Sequence, residues 1–138
     1  MFVAGLMLVP LLDQGVKRLV LERLGGRSIP LGLAGEVRVV QTQIWLLRTS
    51  HRISLAALWL LWATGAGVSA AVTAVVPEVG WALGLLVGSA LSHAVETSVR
   101  GFICDYVCLR FWPAFDMADV ALTAGAVGLL VELVPALL

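Results

Sequence analysis

Long uncharged blocks separated by short polar segments dominate this chain. The clearest covers residues 53–76, 24 positions without a charge, closed by Pro77. That is long enough to cross the roughly 30 Å hydrocarbon core of a bilayer with some tilt. Pro77 and Glu78 form a two-residue turn, and a second block runs over 79–99, its first 17 positions free of formal charge before Glu96. So short a turn predicts two adjacent antiparallel helices. The last block, 116–138, has Asp119 near its start and Glu132 near its far end, with 120–131 uncharged between them. The first, 2–20, holds Pro10 as a candidate kink and Asp13, Lys17 and Arg18 in its second half. No basic leader precedes this block and no small-residue cleavage site follows it, so it is expected to be kept as a helix rather than removed.

Two segments are not expected to span. Within 21–52, Gly25-Gly26 is followed by the alternation Glu36-Val37-Arg38-Val39-Val40-Gln41, which predicts a strand. Residues 43–52 then set Trp45, Leu46 and Leu47 beside Arg48, His51 and Arg52, as in an amphipathic piece lying on the membrane interface. The other surface segment, 100–115, opens at Gly101 and nearly closes at Trp112-Pro113. The predicted fold class is therefore an all-α membrane protein of one domain, 1–138. It has four transmembrane helices, a small extramembrane β element and an amphipathic interfacial segment.

Composition agrees with a membrane location. Of 138 residues, 60% are hydrophobic and 13% charged, with a mean hydropathy of +1.00, and so small a soluble domain needs more polar surface. A net charge of zero and scattered basic residues give no nucleic-acid-binding surface. Cys104 and Cys108, four apart with no histidine near in sequence, make neither a disulfide framework nor a metal signature and fit small apolar fillers. All nine Lys and Arg fall in 17–52 or 100–110 and so share one membrane face, leaving Glu78, Glu132 and both termini on the other. By the positive-inside rule the basic face is cytoplasmic.

Charged groups within or at the ends of spanning helices cost about 2.5–3.5 kcal/mol each at the bilayer centre, so those present need a reason. Asp13 and Lys17, four apart, share a helix face and can neutralise each other. Asp105 follows the apolar approach Gly101-Phe102-Ile103-Cys104, and Asp119 sits one turn inside the last helix. Two carboxylates brought together can share a proton, because like charges a few Å apart do not both ionise cheaply. One then acts as base on a water while the other, protonated, polarises a peptide carbonyl. Spacing alone favours a plainer reading, Asp119 as a helix cap beside an exposed loop Asp105; Asp116 can itself be the cap, with Asp119 a first-turn anion.

The run Gly101-Phe-Ile-Cys-Asp105, followed by Trp112-Pro-Ala-Phe-Asp-Met-Ala-Asp119, resembles the C-terminal signature of the lipoprotein signal peptidases. That signature reads G-x-V-x-D-F and then W-P-x-F-N-x-A-D. Asp13-Gln14-Gly-Val-Lys17 likewise matches the family's D-Q-x-x-K. The resemblance implies that Asp105 and Asp119 are the catalytic dyad of an aspartyl endopeptidase. Such an enzyme cuts the signal peptide of a lipid-modified prolipoprotein just before its diacylglyceryl cysteine. It further implies that residues 21–52 form a cradle and lid over the substrate, that no metal or organic cofactor is used, and that Asp13 and Lys17 support the site. Membrane lipid, the prolipoprotein and a globomycin-like inhibitor are the implied partners of a monomer in the bacterial inner membrane. Its active site is expected to face outward, against the positive-inside expectation.

The chain departs from the family pattern in a few places. Asp116 stands where the family has asparagine, and on the third helix His93 replaces another asparagine. There Glu96 keeps the acid, while Thr97 replaces an arginine for which Arg100, one turn on, is expected to substitute. Gln41-Thr-Gln-Ile-Trp45 stands in place of N-x-G-A-A-F. His93 is either a buried hydrogen-bonding residue or a group that tunes the dyad between pH 5 and 8. Two other readings remain: a catalytically degenerate homologue that binds lipopeptide or inhibitor, and a four-helix transporter subunit using Asp13 as an intramembrane proton or cation site.

Overall fold

A computed structural model describes residues 1–42 and 54–137. Among the described residues four α-helices carry the architecture: α1 (Phe2–Leu24), α2 (Leu55–Val75), α3 (Gly80–Arg100) and α4 (Met117–Leu137). Three strands accompany them: β1 (Ile29–Pro30), β2 (Gly35–Thr42) and β3 (Ile103–Leu109). Among the described residues three helical stretches are long and apolar enough to cross a membrane: Leu55–Val75, Pro77–Arg100 and Met117–Val134. The amphipathic segment expected at 43–52 lies outside the described residues.

Local chemistry sets the boundaries. α1 continues four residues past the expected end and stops where Gly25 adopts a left-handed conformation (φ 49°) that L side chains resist. Ser54 caps α2, its hydroxyl oxygen accepting from the Ala57 N–H at 3.2 Å. The turn after α2 is a single 3-10 turn, Pro77–Val79, and α3 ends at Gly101 with φ 78°.

α3 is the central helix and packs against α1, α2 and α4. Its Gly84 and Gly88, four apart, bring the α1 backbone into contact. A Cβ on Gly84 would lie 2.4 Å from the Phe2 carbonyl oxygen, and one on Gly88 2.6 Å from that of Gly5. Close approach through small residues suits helices in lipid, where van der Waals packing rather than the hydrophobic effect drives association. α2 is tethered by two indoles: Trp59 Nε1 donates to Ser98 Oγ at 2.9 Å and Trp62 Nε1 to the Val87 carbonyl at 3.2 Å.

The strands form one antiparallel sheet in the order β1-β2-β3. The strand expected around 36–41 is β2. β3 has no counterpart in the sequence-based expectation, which treats 100–115 as a surface segment; its Ile-Cys-Asp-Tyr core is buried on both faces, so it lacks the alternation that marks a half-exposed strand. The pairing shifts by one residue between Val37↔Val107 and Val40↔Asp105, a β-bulge in β2. Because a one-residue shift exchanges the faces of a strand, the bulge puts Val40 and Thr42 on the side of Asp105. An unbroken register would have placed Val39 and Gln41 there.

Candidate active site

α1, α3, β3 and the start of α4 converge on a buried polar cluster. Lys17, on α1, is fully buried at its centre. Its ammonium lies 2.9 Å from Asp13 Oδ2, 2.5 Å from Glu96 Oε2, and in contact with Asp116 Oδ2. All three carboxylates are buried. A buried charge is tolerated only when paired and hydrogen-bonded, and the remaining oxygens are accordingly engaged. Asp13 accepts from Ser92 Oγ at 2.6 Å and from the Ala118 N–H at 3.2 Å, tying α1 to α3 and α4. Glu96 Oε1 accepts from Arg100 at 2.6 Å and from the Cys104 N–H at 3.1 Å, fixing the start of β3 against α3. Arg100 thus binds Glu96 one turn away on its own helix. Gln14 donates to Ser92 Oγ at 3.0 Å.

Asp116 and Asp119 cap α4 reciprocally. Asp116 Oδ1 accepts from the Asp119 N–H at 2.8 Å, while Asp119 Oδ2 accepts from the Asp116 N–H at 3.2 Å. The expectation of Asp116 as cap with Asp119 in the first turn therefore describes real contacts, but Asp119 keeps its other oxygen free of the backbone. His93 Nε2 lies 3.3 Å from Asp116 Oδ2 and 3.7 Å from Asp119 Oδ1.

Asp105 is not an exposed loop residue: it is buried within β3. Thr42 Oγ1 donates to its Oδ2 at 2.6 Å, a diagonal cross-strand contact that the β2 bulge makes possible. Burial pushes the Asp105 carboxyl up to about 6, reinforced by the negative charges of Asp116 and Asp119 and opposed by the Thr42 hydrogen bond and Lys17. Burial also acts upward on Asp116, but the His93 hydrogen bond and the Lys17 ammonium outweigh it and bring that carboxyl down to about 2. The acids around the site are thereby driven apart, one toward keeping its proton and one toward losing it.

Beside Asp119 an open groove of about 430 Å³ runs along α4, lined by Trp112, Phe115, Val120, Thr123, Ala124 and Val127. Asp119 and Thr123 are its polar side chains and the rest is apolar, which suits a lipidic or extended apolar chain carrying a polar bond. The His93, Asp116 and Asp119 ligand atoms fall within 4.8 Å of one another, a spacing that fits a metal ion. The Lys17 ammonium already holds Asp116 Oδ2, however, and opposes a further cation there.

Residues 6–135 match the signal peptidase II (SPase II) family. The chain belongs to this family. It is 28% identical over 141 residues to a lipoprotein signal peptidase of Halothermothrix orenii, covering 92% of this chain and 90% of that protein. A shorter match, 42% identical over 55 residues, links it to a lipoprotein signal peptidase of Methylorubrum extorquens, covering 37% of this chain and 32% of that protein. The fold is similar to a solved bacterial membrane enzyme, with a TM-score of 0.75 at 15% identity over 96% of this chain and 92% of that one. Members of the family are peptidases, so the transporter reading is set aside.

Asp13, Lys17, His93, Glu96, Arg100 and Asp116 all meet in one network, and Asp105 and Asp119 flank it. Sequence reasoning missed Thr42 as the partner of Asp105, and Ser92 and Gln14 as partners of Asp13. Gln14 lay inside a quoted motif and Ser92 stood next to His93. Thr42 lies in the Gln41–Trp45 run that departs from the family pattern, but the run does not tell which face Thr42 takes, because the bulge reverses it.

Proposed function

We propose that this protein is an aspartyl endopeptidase that removes the signal peptide from lipid-modified prolipoproteins, with Asp105 and Asp119 as its catalytic pair. The observation that carries the reading is Asp105 itself: a buried carboxyl held up to about 6, within electrostatic reach of Asp119 at the mouth of an apolar groove. In this reaction Asp119, ionised, takes a proton from a water whose oxygen bonds to the scissile carbonyl carbon. Asp105, protonated, gives its proton to the carbonyl oxygen. The tetrahedral diol then collapses: the C–N bond breaks, the leaving amine takes the proton from Asp119, and Asp105 recovers its own. The chain's own carboxyls supply every proton transfer, and the Lys17 network holds their elements in place.

α1 is read as a fourth span. Its 23 residues reach about 34 Å, and it buries Asp13 and Lys17 while turning Leu8, Leu11 and Leu12 outward, the inverse of a water-facing helix. The sheet and the site lie on the basic face, which this reading turns outward in the bacterial inner membrane. The positive-inside expectation weakens because Lys17 and Arg100 are engaged within the buried network instead of standing free in loops. Reporter fusions at residue 33 should report a non-cytoplasmic location; a cytoplasmic signal would overturn the orientation.

The activity test is direct. Purified protein is given a lipidated prolipoprotein, and cleavage is compared with Asp105→Asn and Asp119→Asn. Either change should abolish cleavage while leaving substrate binding. Cleavage retained by both variants would remove the dyad, and binding without cleavage by the unaltered protein would mark a degenerate homologue.

A further inference from the structure

Charge in the buried cluster does not balance without His93. Two cations, Lys17 and Arg100, face three carboxylates, Asp13, Glu96 and Asp116, leaving one negative charge over among the described residues. An uncompensated charge in so buried a setting is costly. Among the described residues, the one further ionisable nitrogen beside these carboxylates is His93 Nε2, 3.3 Å from Asp116 Oδ2. The same ring edge lies 3.7 Å from Asp119 Oδ1, and the other oxygen of Asp116 binds the Asp119 backbone N–H. His93 and Asp116 thus touch the side chain and the backbone of Asp119 from two directions.

We propose that His93 and Asp116 act as a coupled ion pair that positions Asp119, the imidazolium balancing the added carboxylate of Asp116 and holding Asp119 Oδ1 toward the substrate. The proposal rests on reading Asp105 and Asp119 as the catalytic pair. His93 is a positioning residue. The groups that set its charge are Asp116 and Asp119 at the start of α4, Lys17 and Asp13 on α1, Glu96 on its own helix, and Asp105 on β3. Loss of the imidazolium proton on the alkaline side leaves Asp116 overcharged and frees Asp119 Oδ1. Activity therefore falls there for a reason that an asparagine pair would not share.

The test is a double-mutant cycle on the full chain with a lipidated prolipoprotein, reading kcat and KM from pH 5 to 9. His93→Asn should lower kcat at least about tenfold with little change in KM, because it strands the Asp116 charge. In an Asp116→Asn background, His93→Asn should cost less than about threefold, since neither charge is then present. Asp105 sets an alkaline limb of its own, so the limb of the kcat profile should be steeper in the unaltered protein, where His93 adds to it, and should change in steepness and midpoint in the Asp116→Asn/His93→Asn protein, where Asp105 alone remains. That double variant buries no unpaired charge and keeps the measurement available where His93→Asn alone does not fold. Equal cost of His93→Asn in both backgrounds, or an unchanged alkaline limb in the double variant, would overturn the pairing. So would chelator-sensitive activity restored by Zn²⁺, which would make the three side chains metal ligands. Asp105→Asn, run alongside, reads the catalytic assignment separately: if it alone fails to abolish cleavage, the dyad is wrong whatever the cycle shows.

Discussion

Lys17→Met removes the ammonium that joins Asp13, Glu96 and Asp116 while keeping an unbranched stem that fills most of the same space. At the 2.9 Å separation of Lys17 and Asp13, attraction in an effective dielectric of about 20 is about 6 kcal/mol. Desolvation of each ion offsets several kcal/mol of this, and breaking a buried pair by removing one partner costs about 3–5 kcal/mol. Here one removal leaves Asp13 without its cation and takes one from Glu96 and Asp116, which keep only Arg100 and His93, all three carboxylates being nearly inaccessible, so the upper end of that range, about 5 kcal/mol, is expected at pH 7.5. The sign of the pH dependence follows. Lys17 is one of the groups that hold the Asp116 carboxyl down, so without it that carboxyl takes a proton more readily in the folded state and acidification narrows the deficit relative to the unaltered protein. Unfolding by SDS in mixed micelles, followed by tryptophan fluorescence at pH 7.5 and 5, measures both quantities. A loss below about 1 kcal/mol at pH 7.5, or a deficit that widens on acidification, would refute the view of Lys17 as the hub of the site.

Two further outcomes follow from the geometry. Thr42→Val removes the hydroxyl that favours ionised Asp105, so that carboxyl should rise above about 6 and the pH limb of cleavage assigned to it should move to higher pH; a limb that stays or moves down would break the link between the β2 bulge and the site. Gly84→Val drives a side chain into the Phe2 carbonyl and should cost about 1–3 kcal/mol, read in the same SDS titration, whereas Gly65→Val, with open space around it, should cost less than about half as much.

Much of the site was legible in the sequence because charge inside an apolar chain is conspicuous. Asp13 and Lys17 interrupt α1 at helical spacing, and Glu96 and Arg100 do the same on α3, so their pairing within each helix follows from period alone. The Trp112–Asp119 run marks the entry to α4 for a similar reason: a proline followed by spaced acids is a helix start. β3 was not legible, because its core is buried on both faces and its partner strand is distant in sequence. Neither was the partner of Asp105, since a bulge leaves no mark in a run of Val, Arg and Gln.

By itself the sequence determined the apolar helices, their order and the acids placed at their ends, because these depend on local period and on the cost of charge in hydrocarbon. Only the tertiary structure decided which charges share a neighbour. Lys17 meets Glu96 and Asp116 across helices 79 and 99 positions apart in sequence, and His93 meets Asp116 and Asp119 from a third element. Such contacts are set by the close glycine packing of α1 on α3 and by the register of the sheet. Neither is encoded in any single segment, and both fix whether a carboxyl keeps its proton.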